Sequence, residues 1–240
     1  MKKLSIRRLV PNLITFISLT LGLSAIKFAI DQKWEVAVTL IVFSSFLDNL
    51  DGKLARLLKT NSNFGVELDS LADFISFGVA PAIVIYLWSK TFFFDTNWAI
   101  VIFYAICSSS RLAKFNVLSY ENQSKDDLRF FLGISTPAAA GLSLLPIMFN
   151  FRFELDVFSY ENFIKYYLFL PSILMISNLP TYSLKGIKIE KKLIPFLIIL
   201  FASFIYLLLT DLWLAMIILI IIYFLSIPFA IYESKVSLKT

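Results

Sequence analysis

Eight stretches of this sequence stay apolar for long enough to demand a bilayer as their solvent. A helix needs about 20 apolar residues to cross the hydrocarbon core. Stretches of about that length fall at residues 12–30, 34–58, 68–89, 97–117, 135–150, 160–179, 193–209 and 211–232. Hydrophobic residues make up 58% of the 240-residue chain and its mean hydropathy is +0.79, against about 45–50% apolar residues in soluble domains. The expectation is an all-α integral membrane protein of about eight transmembrane helices. No repeat, low-complexity tract or linker divides it, so residues 1–240 read as one domain.

The net charge of +5 invites a nucleic-acid reading, but the basic residues recur between the apolar runs and form no single patch. They report orientation instead. With the amino terminus (Lys2, Lys3, Arg7, Arg8) in the cytosol, eight spans leave only Lys27, Lys33, Lys90, Arg152 and Lys165 on the outer side. Both termini are then cytosolic. The basic Met1–Val10 stretch and the span after it do not read as a cleaved signal peptide, since no small-residue cleavage site follows. Trp34, Trp88, Trp98 and Trp213 fall near span ends, as interfacial anchors do.

Two absences narrow the chemistry. One cysteine, Cys107, cannot close an internal disulfide, and there is no histidine. Any general base must therefore be a carboxylate, lysine or hydroxyl.

Against this background four acids stand out. The second span ends with Asp48, Asp51, Gly52, Ala55 and Arg56, and the third begins with Gly65, Glu67, Asp69 and Asp73. An ionised residue within a membrane helix costs roughly 2.5–3.5 kcal/mol on insertion scales and usually marks function. Residues three or four apart share a helix face, so Asp48 pairs with Asp51 and Asp69 with Asp73. The two helices are antiparallel neighbours joined by a short loop, and both pairs can face one another. Two carboxylates about 4 Å apart repel by about 4 kcal/mol at an effective dielectric near 20, which calls for protons or cations between them. Oxygen ligands without histidine or cysteine favour Mg²⁺, Mn²⁺ or Ca²⁺ over zinc. Two such ions bridged by carboxylates form a clamp suited to phosphoryl-type transfer. The competing reading pairs the acids with Lys53, Arg56 and Lys59 as interfacial salt bridges. A different class again is a cation transporter, whose site belongs near the midplane on broken helices; these acids cluster toward one face.

The full pattern, Asp-x2-Asp-Gly-x2-Ala-Arg-x8-Gly-x3-Asp-x3-Asp from Asp48 to Asp73, resembles the signature of the CDP-alcohol phosphotransferases at every fixed position. The resemblance implies a six-helix catalytic core, usually dimeric. It implies transfer of a phosphatidyl or similar group from a CDP-linked donor to an alcohol with release of CMP. By the family's pattern Asp48, Asp51 and Asp69 would hold metal on the donor diphosphate. Asp73 would share a second metal and act as general base. Gly52, Ala55, Arg56 and Gly65 would bound the cytidine-phosphate pocket.

Further segments resemble the membrane-embedded phosphatidylserine synthases over roughly residues 8–145: Arg8–Thr15, Glu67–Pro81, Arg111–Asn116 and Phe131–Ala140. One departure is Gly133-Ile-Ser135-Thr-Pro137, where the family usually has Gly-x-Pro-x-Pro. The implied reaction is CDP-diacylglycerol plus L-serine giving phosphatidylserine and CMP, at the cytosolic face of the cell membrane and with no nucleic-acid partner. Another acceptor on the same fold, glycerol 3-phosphate first, is the alternative. Serine's carboxylate needs a cationic or amide partner, and Arg111, Lys114 and Asn116 stand on consecutive turns at that face. Ser70, Ser76 and Glu67 are acceptors for its ammonium, and Asn12, after Pro11, is placed to touch the donor phosphates. Spans seven and eight carry only Asp211 and no candidate site residue, so they read as packing or dimer surface.

Overall fold

The computed structural model of the chain describes residues 6–58, 62–92, 98–121, 130–154, 166–182 and 191–237. Lys2, Lys3, Lys59 and Lys165, used above to argue orientation or pairing, lie outside the described residues. Helix α1 (Ile6–Ile30) turns at Asp31-Gln32 into α2 (Trp34–Leu57). Gln32 takes a left-handed φ of 59° in that turn. Asp31 there accepts from Lys27 Nζ at 2.5 Å, a bond that holds its carboxyl below the usual carboxylate range.

The third predicted span is a continuous rod in three parts. Helix α3 (Asn63–Asp73) passes through a π-helical turn (Phe74–Val79) into α4 (Ala80–Phe92). After α5 (Trp98–Glu121) come a short strand β1 (Phe130–Leu132), α6 (Thr136–Phe153), α7 (Phe169–Ile176) and strand β2 (Pro180–Tyr182). A 3₁₀ turn (Lys191–Leu193) leads into α8 (Ile194–Thr210), and α9 (Leu212–Ser237) ends the described chain. Among the described residues, four stretches are long and apolar enough to cross a membrane: Leu9–Ile30, Asn63–Ser89, Trp98–Val117 and Leu212–Ser234; Ile194–Thr210 is apolar but shorter. The chain is thus an α-helical membrane protein by length and composition.

Packing follows membrane rules. α1 and α2 are held by hydroxyls: Ser18 and Ser44 share a 2.8 Å bond, and each reaches the other's carbonyl oxygen at 3.0–3.1 Å. Such interhelical bonds contribute about 0.6 kcal/mol each on average. Gly22 lets the π turn approach α1, because a Cβ there would stand 2.8 Å from Ser76 Cα. A π turn leaves backbone carbonyls short of their α-helical partners, and Phe77 O is satisfied by the buried Tyr104 hydroxyl of α5 at 3.0 Å. Phe77, Trp88, Tyr104, Leu144, Ile147 and Met148 form the fully buried centre, so the core lies among α4, α5 and α6.

Two expectations change here. Within the span expected at 160–179, the described helix ends at Ile176 and the chain straightens into β2, which pairs antiparallel with β1 (Phe131 opposite Thr181). Gly133 explains the tight return: its φ is +71°, and a Cβ would meet Met175 O at 2.6 Å. The departure Ser135, where the family carries proline, is the N-cap of α6, its hydroxyl accepting from Ala138 N at 3.3 Å. A side-chain cap thus takes over the helix start.

Candidate functional site

The C-terminal half of α2 and the start of α3 bring the acids together. Oxygens of Asp48, Asp51 and Asp69 all lie within 4.8 Å of one another. Asp73, one turn beyond Asp69, sits within hydrogen-bonding reach of Asp48 and faces Arg111 of α5. Asp51 is 4% exposed and accepts a 2.7 Å bond from Thr15 Oγ1 of α1. The acids therefore form one body of negative charge walled by α1, α2, α3 and α5.

Salt bridging does not neutralise it. Among the described residues the ion pairs are Lys27–Asp31 and Arg152–Asp211, and Arg56 gives its Nε proton to Gly52 O at 3.0 Å. Lys53 and Arg56 both stand exposed. Three carboxylates so close, without a cationic side chain among them, are the donor set a hard divalent cation takes. Two ligands on one Mg²⁺ at about 2.1 Å can be no more than about 4.2 Å apart, so only a small inward movement separates a 4.8 Å cluster from a chelate. The residues fit the ion.

The small residues lie where a ligand has to come close. A Cβ on Gly52 would meet nothing within 4 Å, so α2 offers bare backbone to open space beside Asp51. A Cβ on Gly65 would come to 3.2 Å of both Asn12 Oδ1 and Ser62 Oγ. Asn12 is thereby placed against the start of α3, which Ser62 caps by accepting from Gly65 N at 3.1 Å. Ala55 is half-buried on the turn after Gly52.

The residues expected to meet an acceptor divide. Arg111 is half-buried, faces Asp73, and has its Nη1 3.5 Å from Thr136 Oγ1. Its Nε is buried with no acceptor among the described residues. Asn116 instead ties α5 to α3, donating from Nδ2 to Ser70 Oγ at 2.9 Å. Lys114 is exposed and donates to Asn178 Oδ1 at 2.6 Å. Ser76 is fully buried and donates to Ser18 O at 3.3 Å, so it braces α1 and is no ammonium acceptor.

Two residues escaped the sequence reading. Thr15 stands three residues after Asn12, on the same face of α1, and that spacing was the available signal. Tyr223 of α9 lines a cavity together with Ser135 and Pro137 at the start of α6, a neighbour that the apolar pattern of the last span did not suggest.

Comparison with known proteins agrees with this geometry. A family model described as CDP-alcohol phosphatidyltransferase matches residues 8–180, well past residue 145, where sequence reading followed hydropathy alone. The chain is 33% identical over 233 residues to a Mycobacterium bovis CDP-diacylglycerol–serine O-phosphatidyltransferase, covering 95% of this chain and 80% of that one. A Helicobacter pylori protein of the same name is 35% identical over 198 residues, covering 82% and 81%. One from Methanocaldococcus jannaschii is 32% identical over 201 residues, covering 75% and 90%.

Proposed function

The chain belongs to the CDP-alcohol phosphatidyltransferase family, and on that premise we propose that it transfers the phosphatidyl group of CDP-diacylglycerol to L-serine, forming phosphatidylserine and CMP. The observation that carries this reading is the cluster of Asp48, Asp51 and Asp69 with Asp73 beside it, none of them in an ion pair among the described residues. Full-length relatives acting on serine support that acceptor over glycerol 3-phosphate.

In this reading Asp48, Asp51 and Asp69 would hold divalent cations, Mg²⁺ or Mn²⁺, and Asp73 would share in a second. A metal bound there would supply positive charge against the donor diphosphate. Asn12, Gly52, Ala55, Arg56 and Gly65 surround the cytidine-phosphate end, with Gly52 and Gly65 letting it approach backbone. Asp73 accepts the proton of the serine hydroxyl at a carboxylate oxygen. The serine oxygen bonds to the phosphatidyl phosphorus as the bond from that phosphorus to the oxygen of CMP breaks. Arg111 offers its Nε–H and remaining guanidinium donors to the serine carboxylate, a pairing its planar fork suits. Lys114 and Asn116 act through the side chains they hold, Lys114 donating to Asn178 and Asn116 to Ser70.

The finer topology belongs to the same reading: eight spans, both termini cytosolic, the site facing the cytoplasm from the cell membrane. In its support, Arg152 at the end of α6 pairs with Asp211 in the turn between α8 and α9, two positions that the threading puts on one outer side. A homodimer using the uncovered face of α8 completes the proposal.

The test is purified enzyme given CDP-diacylglycerol, Mn²⁺ and labelled serine, with glycerol 3-phosphate in a parallel reaction. Labelled phosphatidylserine and stoichiometric CMP are expected. Consumption of glycerol 3-phosphate with serine untouched would overturn the acceptor assignment.

A further inference from the structure

The π turn at Phe74–Val79 joins two helical pieces that are anchored very differently. α4 is locked into the core, with Ala80, Ala82, Val84, Ile85 and Trp88 each at most 2% exposed. α3, which carries Asp69 and Asp73, has one buried residue, Ala72. Beyond the bond between Ser70 and Asn116, little in the packing of α3 itself sets its rotation about the helix axis.

That rotation decides whether the acids meet. A π turn carries one residue more than an α turn, so it shifts the phase between the pieces on its two sides by about 100°. A rotation of about 100° moves a Cα on its roughly 2.3 Å radius by about 3.5 Å, and a carboxylate further. Asp69 has its oxygen within 4.8 Å of those of Asp48 and Asp51, and Asp73, four residues on, shares its face. Rewinding the turn into a regular α-helix, with α4 fixed in the core, would swing both acids away from α2.

The sequence places the turn and α5 holds it. An α-helix would send the Phe77 carbonyl to the N–H of residue 81, but Pro81 has none and its ring crowds that carbonyl. The wide register runs up to this point, where Ala80 N bonds Ile75 O, five residues back. Phe77 O receives the hydroxyl of the fully buried Tyr104 instead, at 3.0 Å. One turn further along α5, Ser108 meets the same π turn, since a Cβ on Gly78 would stand 2.5 Å from its Oγ. Ser108 Oγ is buried without a hydrogen-bond partner among the described residues. Of these two hydroxyls, the one that bonds the turn is that of Tyr104.

We propose that Tyr104 is a positioning residue for the acid cluster: by occupying the carbonyl that Pro81 leaves free, its phenol keeps the turn in the π register and so aims Asp69 and Asp73 at α2. This inference rests on the reading above of Asp69 as a metal ligand and Asp73 as the base.

The experiment measures Mn²⁺ binding to the purified full-length protein, from the electron-spin resonance of free Mn²⁺, beside kcat for phosphatidylserine formation at saturating metal and substrates. Tyr104→Phe keeps the ring and removes the hydroxyl. Its Mn²⁺ Kd should rise about three- to ten-fold, the scale of one lost hydrogen bond, and kcat should fall by a similar factor with the serine KM unchanged. Tyr167→Phe is the matched control. It deletes another buried phenol bond, to Leu142 O of α6 at 2.8 Å, and should leave both Mn²⁺ Kd and kcat unchanged. Pro81→Ala gives Phe77 O a competing backbone donor and should weaken Mn²⁺ binding in the same direction; it decides the matter should Tyr104→Phe unfold. An unchanged Mn²⁺ Kd in the folded variant, or an equal rise in Tyr167→Phe, would overturn the proposal. Wild-type protein that binds no Mn²⁺ would instead overturn the metal reading, and one that binds Mn²⁺ but ignores serine would overturn the acceptor assignment alone.

Discussion

Asp51 on α2 is 4% exposed and hydrogen-bonded at 2.7 Å to a neighbouring helix, whereas α8 has no buried residue along its length and Phe201 stands 65% exposed. In water that contrast would be upside down, with charge outside and aromatic rings inside. In a bilayer lipid covers the rings of α8 at no cost, and burial is spent on the polar groups of α1, α2 and α3, which find no partner in hydrocarbon. The comparison teaches where to look for chemistry in such a chain: where polar side chains are enclosed and matched, not where apolar ones are.

The sharpest way to break the contrast is to remove a charge from the enclosed half. Asp51→Ala should lower phosphatidylserine formation by at least about 10³-fold and raise the Mn²⁺ concentration for half-activity, because one of three clustered ligands is gone. A Mn²⁺ titration of activity checks both, and an unshifted metal midpoint would remove Asp51 from the ligand set. Thr15→Val keeps the charge and deletes only its hydrogen bond. A bond to a charged group contributes about 1.5–3 kcal/mol, so kcat/KM should fall about 10- to 100-fold. The smallest effect belongs to the exposed half: Phe201→Ala should leave kcat/KM within about two-fold and thermal midpoint nearly unmoved, as surface changes away from special features do. A large loss there would mean that α8 contributes to the site.

How much of this was legible beforehand differs by kind of signal. Apolar runs located α1, α2, the α3–α4 rod, α5, α6, α8 and α9 well, since length against bilayer thickness is nearly all that decides them. The helical spacing of the acids placed Asp48, Asp51 and Asp69 together, as found. The π turn at Phe74–Val79 and the β1–β2 pairing were not legible, because each depends on tertiary partners: Gly22 and Tyr104 for one, Met175 O against Gly133 for the other. The sorting of Arg111, Lys114 and Asn116 was hidden for the same reason. They share a helix end in sequence, but Ser70 and Asn178, far along the chain, claim two of the three.

The account stands or falls on Asp73, the enclosed carboxylate that faces both Asp48 and Arg111. The direct measurement is turnover of Asp73→Asn at saturating Mn²⁺ and serine, alongside binding of CDP-diacylglycerol to the same preparation. Loss of a general base lowers the rate by about 10²–10⁴-fold, so turnover should fall by that factor while the donor still binds. Near-normal turnover with the donor bound would contradict the assignment of Asp73 as the proton acceptor.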